Sequence, residues 1–134
     1  MSDLTDRARA WAAEDPDEHT RAELETLVAA AETDPAAAAD LADRFDGRLE
    51  FGTAGLRGEL GAGPHRMNRS VVIRAAAGLA AYLQGQGASP SVVIGYDARH
   101  NSDVFARDTA AVVTAAGGSA VVLPHRLPTP VLAF

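Results

Sequence analysis

The chain has 134 residues, a formal net charge of −6 and an apolar fraction of 47% led by alanine, which is enough for one sizeable core and favours helices on a small sheet over a β-sandwich. There is no cysteine and all twelve basic residues are arginine, which excludes disulfides, thiolate metal sites, a P-loop lysine and a Schiff base. Residues 1–50 carry fourteen acids against five arginines and residues 51–134 four acids against seven, a division that argues against nucleic acid and suits the second part to a small phosphorylated ligand, although a charged helical surface beside a buried core explains much of it too.

Leu4, Ala8, Trp11 and Ala12 fall at helical spacing, ended by Asp15-Pro16. The stretch lacks the basic start and apolar run of a signal peptide, and no window approaches the roughly 20 apolar residues of a membrane span, so a soluble, cytoplasmic protein with no membrane partner is expected. Leu24, Leu27, Val28 and Ala31 predict a second helix capped by Asp17 or Thr20. Asp34-Pro35 reads as an N-cap with proline at the first helical position, and Ala38, Leu41, Ala42 and Phe45 supply the third apolar stripe, closed by Gly47. Residues 1–48 are thus read as a helical arm, and nothing in them looks catalytic.

The composition changes at Leu49, where a glycine-rich stretch runs to Gly63. Met67-Asn68 opens a helix capped by Asn68 or Ser70, apolar nearly all round and so expected to be buried on more than one side. Val92 to Tyr96 and Ala120 to Leu123 read as buried strands on either side of a helix over 103–116, with Gly117-Gly118 as its stop. Strand, helix and strand make a βαβ unit. The predicted class is α/β, a three-layer α/β/α domain with a mixed, partly parallel sheet over 49–134, preceded by the arm. Pro128-Thr129-Pro130 starts another helix that has only Val131 to Phe134, so the sequence reads as cut.

Three segments carry candidate chemistry. In Gly52-Thr53-Ala54-Gly55-Leu56-Arg57-Gly58, glycines three apart let the backbone approach an anion, Thr53 adds a hydroxyl and Arg57 a fork for two phosphate oxygens. The same spacing also marks a plain turn or bulge. Gly61-Ala62-Gly63 begins a dinucleotide pattern, but Arg66 stands where the third glycine belongs. In the second segment, Gly95 to Ser102, Asp97 and Arg99 are placed to brace a loop at the carboxyl edge of the sheet, where ligands gather and direct contact is the alternative, and Ser102 to cap the next helix. The third, His125 to Pro130, lies at the next strand end, where His125 and Arg126 can face the same ligand, although a rigid loop turning into a helix explains the prolines without one. His19, His65, His100 and His125 have no metal-ligand spacing, so no metal ligand is assigned.

In their order and spacing these segments resemble the α-D-phosphohexomutase family: the Gly-Thr-Ala-Gly-Leu-Arg-Gly loop, Met67-Asn68, Gly95-x-Asp97-x-Arg99-x-x-Ser102 and Pro128-Thr129-Pro130. The arm, with Trp11, Asp15-Pro16-Asp17 and Thr20-Arg21, is similar to the branch with phosphoglucomutase/phosphomannomutases and phosphopentomutase-type relatives. The resemblance implies domain 1 of an isomerase that moves phosphate between O1 and O6 of glucose or mannose, or between the equivalent positions of a pentose. It implies a phosphoserine, Mg²⁺ and a sugar bisphosphate activator, with the serine and metal ligands beyond Phe134. Arg57 then takes the catalytic phosphate contact, Thr53 and Gly55 shape the pocket, and Asp97, Arg99 and Ser102 support the loops. The expected partners are a phosphorylated sugar, the enzyme's remaining domains and, for a fragment inactive alone, self-association; a stand-alone binding module for a phosphorylated metabolite is the alternative.

Overall fold

The computed structural model describes residues 2–52, 55–87, 89, 91–96 and 100–124. They fall in two compact units, residues 1–71 and 72–134.

The first unit opens with three helices: α1 (Ser2–Glu14), α2 (Glu18–Ala31) and α3 (Pro35–Arg44). Their starts follow from the sequence. Asp17 is the N-cap of α2, its carboxylate accepting from the His19 N–H at 2.9 Å, and Asp34 caps α3 through Ala36 with Pro35 at N1. Of the two caps expected for α2, Asp17 takes the role. Thr20 turns inward and donates its hydroxyl to the buried carboxylate of Asp15, which also accepts from the Asp17 N–H, so the α1–α2 turn satisfies its own buried charge. Ala8, Ala12, Leu24, Val28, Ala31, Leu41, Phe45 and Ala62 form the core, and Trp11 meets Phe45 edge-on at 6.3 Å between centroids. Alanine on α1 lets the helices approach closely, which is where the alanine-rich composition is used.

Residues 49–71 belong to the same compact unit as the arm. The composition changes at Leu49, but the backbone of 59–68 hydrogen-bonds to α2 and α3, so the packing boundary falls at 71/72. Two short strands lie here, β1 (Phe51–Gly52) and β2 (Gly55–Leu56), followed by α4 (Arg69–Gly85), whose body lies in the second unit.

The second unit contains β3 (Ser91–Ile94), α5 (Ser102–Ala115) and β4 (Ser119–Val122). β3 and β4 pair in parallel, Ser91 opposite Ser119 through Ile94 opposite Val122, and the Leu123 N–H extends the ladder to the Ile94 carbonyl. This is the expected βαβ unit, and the α/β class holds. α5 buries Phe105, Ala106 and Val113 and closes with Gly118 N–H on the Val113 carbonyl and Gly117 N–H on that of Thr114.

Three expectations need correction. β3 and β4 are not buried strands: Val93 and Val121 are each 55% exposed, while Ile94 is covered. Strand side chains alternate, so one helix covers one face only. α4 is covered over one broad face and not all round: Val71, Val72, Ala76 and Ala80 are buried and Ile73, Ala75, Leu79 and Leu83 half-buried, while Ala77, Gly78, Ala81 and Tyr82 are exposed. Ser102 does not cap α5; the cap position is Asn101, in the left-handed region at φ 65°, and makes no side-chain cap bond.

Candidate functional site

The glycine loop lies on a hairpin. β1 and β2 pair antiparallel, with Phe51 opposite Leu56 and Gly52 opposite Gly55. Thr53 and Ala54, between them in sequence, lie outside the described residues. Arg57 follows β2 directly and is exposed. A Cβ on Gly58 would stand 2.7 Å from Leu49 Cδ1, so the chain leaving Arg57 packs against the Leu49 side chain, whose flexible end can turn aside for a small residue.

From Glu59 on, this chain is strapped down. The Met67 N–H donates to the Glu59 carbonyl at 2.8 Å and the Gly61 N–H to the Met67 carbonyl at 3.2 Å, a parallel bridge of Leu60 with Met67. Asn68 does two jobs with one buried amide. Its Nδ2 donates to the carbonyls of Gly61 and Gly63, both at 2.8 Å, and its Oδ1 accepts from the Val71 N–H at 2.9 Å, capping α4. Ser70, the other cap expected, sits inside the helix. The arm grips the same loop from below. Glu23 Oε2 accepts from the Ala62 N–H at 2.9 Å, and Arg44 donates to the Ala62 carbonyl. Gly63 has φ +108°, and a Cβ there would meet Arg44 Cβ and its carbonyl oxygen at 3.0 Å. Glycine is needed for both reasons.

Two arginines carry the electrostatics. Arg44 holds Asp40 with Nε and Nη2 at 3.0 and 3.2 Å and reaches Glu23 at 3.4 Å. Burial opposes its charge, yet Asp40 and Glu23 more than offset this, so the guanidinium is held above its ordinary value. Arg66 is 8% exposed. Its Nη2 lies 2.6 Å from Asp43 Oδ2 and 3.6 Å from Asp40, its Nε 3.8 Å from Glu59, and its Nη1 donates to the His65 carbonyl. The hydrogen bond from Arg66, with its charge, lowers the Asp43 carboxyl below its usual value near 3.8. A carboxyl depressed on folding stabilises above its unfolded value, and that contribution is lost as pH falls through the folded one. Wild type is therefore expected to lose thermal stability more steeply than Asp43→Asn on acidification from about pH 5 to below the ordinary carboxyl range. Melting temperatures across that window test this; parallel curves would refute it.

Asp97, Arg99, His125 and Pro128 to Pro130 lie outside the described residues, and Ser102 is the first residue of α5 in the second unit. His19 and His100 are exposed, and His65 turns Nδ1 to the Asp43 carbonyl at 3.1 Å. Among the described residues no three acidic or histidine side chains group as a metal-ligand cluster. Glu23, Arg44, Arg66 and Asn68 build the site's support, and of these only Asn68 was marked by its pattern, as a cap.

Residues 48–134, more than half of the chain, match the family described as phosphoglucomutase/phosphomannomutase, alpha/beta/alpha domain I. The chain belongs to this family. A probable phosphomannomutase of Haemophilus influenzae is 62% identical over 68 residues, 51% of this chain and 14% of that protein. A probable phosphoribomutase of Schizosaccharomyces pombe is 42% identical over 127 residues, 92% of this chain and 21% of that protein. A phosphoglucomutase of Staphylococcus haemolyticus is 42% identical over 90 residues, 67% of this chain and 16% of that protein. The chain thus spans between about a seventh and a fifth of the length of these relatives. No solved structure gives a significant match. As a phosphohexomutase domain I, its α/β/α description agrees with the parallel pair and helices seen here.

Proposed function

We propose that this chain is the first domain of a cytoplasmic phosphosugar mutase and that Arg57 contacts the phosphoryl group in transfer, with Thr53 and Gly55 lining the same pocket. The observation that carries the reading is an exposed Arg57 at the exit of a glycine hairpin whose trailing chain is fixed to two helices. A phosphoryl transfer needs alignment and charge more than covalent help from the protein. In each half-reaction the bond from phosphorus to one oxygen breaks as the bond to the other forms, one oxygen being a serine's from elsewhere in the enzyme and the other the sugar's O1 or O6. Arg57 offsets negative charge on the equatorial oxygens as that exchange occurs. Mg²⁺, when bound by the rest of the enzyme, supplies further positive charge there, and none of the residues described here is assigned to it. Asp97, Arg99 and Ser102 are proposed as loop support, and a sugar bisphosphate as the activator that restores the phosphoserine.

The substrate is proposed to be a hexose phosphate, in keeping with the family description and the Haemophilus and Staphylococcus relatives. A pentose phosphate is the second reading, favoured by one observation: the yeast phosphoribomutases match over 92% and 82% of the chain, whereas the Haemophilus protein matches over 51%.

A chimaera tests the domain assignment. This chain replaces the aligned 127-residue segment of the S. pombe relative, and turnover is measured on glucose, mannose and ribose 1-phosphates with Mg²⁺ and a sugar bisphosphate. Activity is expected in the chimaera and none in the isolated chain. An inactive chimaera beside an active parent would sink the domain assignment. Turnover by the 134 residues alone would sink the dependence on further domains, and tight sugar-phosphate binding by them alone would favour a stand-alone binding module.

A further inference from the structure

We infer that Arg66 is a positioning residue for Arg57, fastening the exit of the phosphate loop to the helical arm; the inference rests on the role given to Arg57 above. Four consecutive residues divide the work. His65 and Arg66 bind the arm: the His65 N–H donates to the Arg44 carbonyl at 2.9 Å, and the Arg66 guanidinium lies against Asp43 at 2.6 Å and Asp40 at 3.6 Å. Met67 and Asn68 bind the strand leaving Arg57, through the Glu59 carbonyl at 2.8 Å and the Gly61 carbonyl at 2.8 Å. Only Gly58 separates Arg57 from Glu59, whose own carboxylate lies 3.8 Å from Arg66. Position is therefore handed from α3 to Arg66, across the Met67 bridge, and back to Arg57.

Stability alone gives little reason for such an arginine. Taking a guanidinium out of water costs several kcal/mol before its partners repay it, and an apolar side chain of similar volume is often neutral or better. What the ion pairs add is direction. Asp40 and Asp43 stand three residues apart, on one face of α3, and admit the guanidinium in few orientations.

The test uses the ¹⁵N-labelled 134-residue chain with two readouts: amide hydrogen exchange without ligand, and amide shifts at Gly55 to Gly58 during titration with inorganic phosphate. Arg66→Met is expected to speed exchange at Gly61 and Met67 by about 10-fold and to weaken phosphate binding by about 10-fold, with α1 and α2 amides unmoved. Asp43→Asn, at a carboxylate with an exposed side chain, moves the same amides in the same direction by less, and carries the test if Arg66→Met fails to fold. In an Arg57→Ala background neither change alters phosphate affinity further. Unchanged exchange at Gly61 and Met67, acceleration spread equally over α1 and α2, or losses that add to Arg57→Ala would each overturn the inference. Phosphate binding that is missing in wild type or not weakened by Arg57→Ala overturns the role of Arg57 instead, and the inference falls with it.

Discussion

Arg57→Ala is expected to lower kcat by about 10²-fold or more in a full-length mutase carrying this chain as its first domain, with melting temperature little changed. The magnitude is that of removing one preorganised charge contact made chiefly in the transition state, and the spared stability follows from the exposure of Arg57 on a two-stranded hairpin. Arg57→Lys should recover part of the loss, because it keeps the charge and forfeits the fork that grips two oxygens at once. Steady-state kinetics with saturating bisphosphate decide the matter. A kcat within a few-fold of wild type would make Arg57 a structural residue, and a rise in KM with kcat unchanged would limit it to ground-state binding.

Part of this arrangement is legible in the sequence, and what is not has a common cause. Local chemistry was legible. Asp17 and Asp34-Pro35 cap helices because each acceptor answers an N–H two residues on, and Asn68 starts α4 through the N–H of Val71, three residues on. The parallel pair followed from two apolar runs flanking a helix. Partners distant in sequence were not legible. Arg66 read as the residue that spoils a dinucleotide pattern, because nothing near it in sequence shows that Asp40 and Asp43 stand within reach. Those two acids belong to no motif of the sequence. They are part of the reason for the charge division along the chain, since acids of the first fifty residues meet an arginine of the second part. Burial was misjudged at Val93 and Val121 for a related reason. An apolar run shows that both faces can be covered; it does not say by what.

The second large effect is expected at Leu41. This side chain is fully buried in α3, in the same core as Leu24, Val28, Phe45 and Ala62. Leu41→Ala should cost about 2–5 kcal/mol, the lost transfer energy plus the cavity that the helices fail to close. For a domain of this size that is a large share of a total on the order of 5–15 kcal/mol. Trp11 is the only tryptophan in the sequence and packs on Phe45 in this unit, so its fluorescence during urea unfolding reports the change. Glu25→Ala, at an exposed position of α2, serves as the control and should stay within about 0.5 kcal/mol. A Leu41→Ala loss no larger than the control's would mean that the arm is not packed as described. The position also bears on the site. Asp40 and Asp43 flank Leu41 on α3, and Arg44 follows, so a helix that shifts to fill the cavity carries the anchors of Arg66 and Ala62 with it. Amide exchange at Gly61 and Met67 should therefore rise in Leu41→Ala as well, linking a core leucine with no ligand contact to the placement of Arg57.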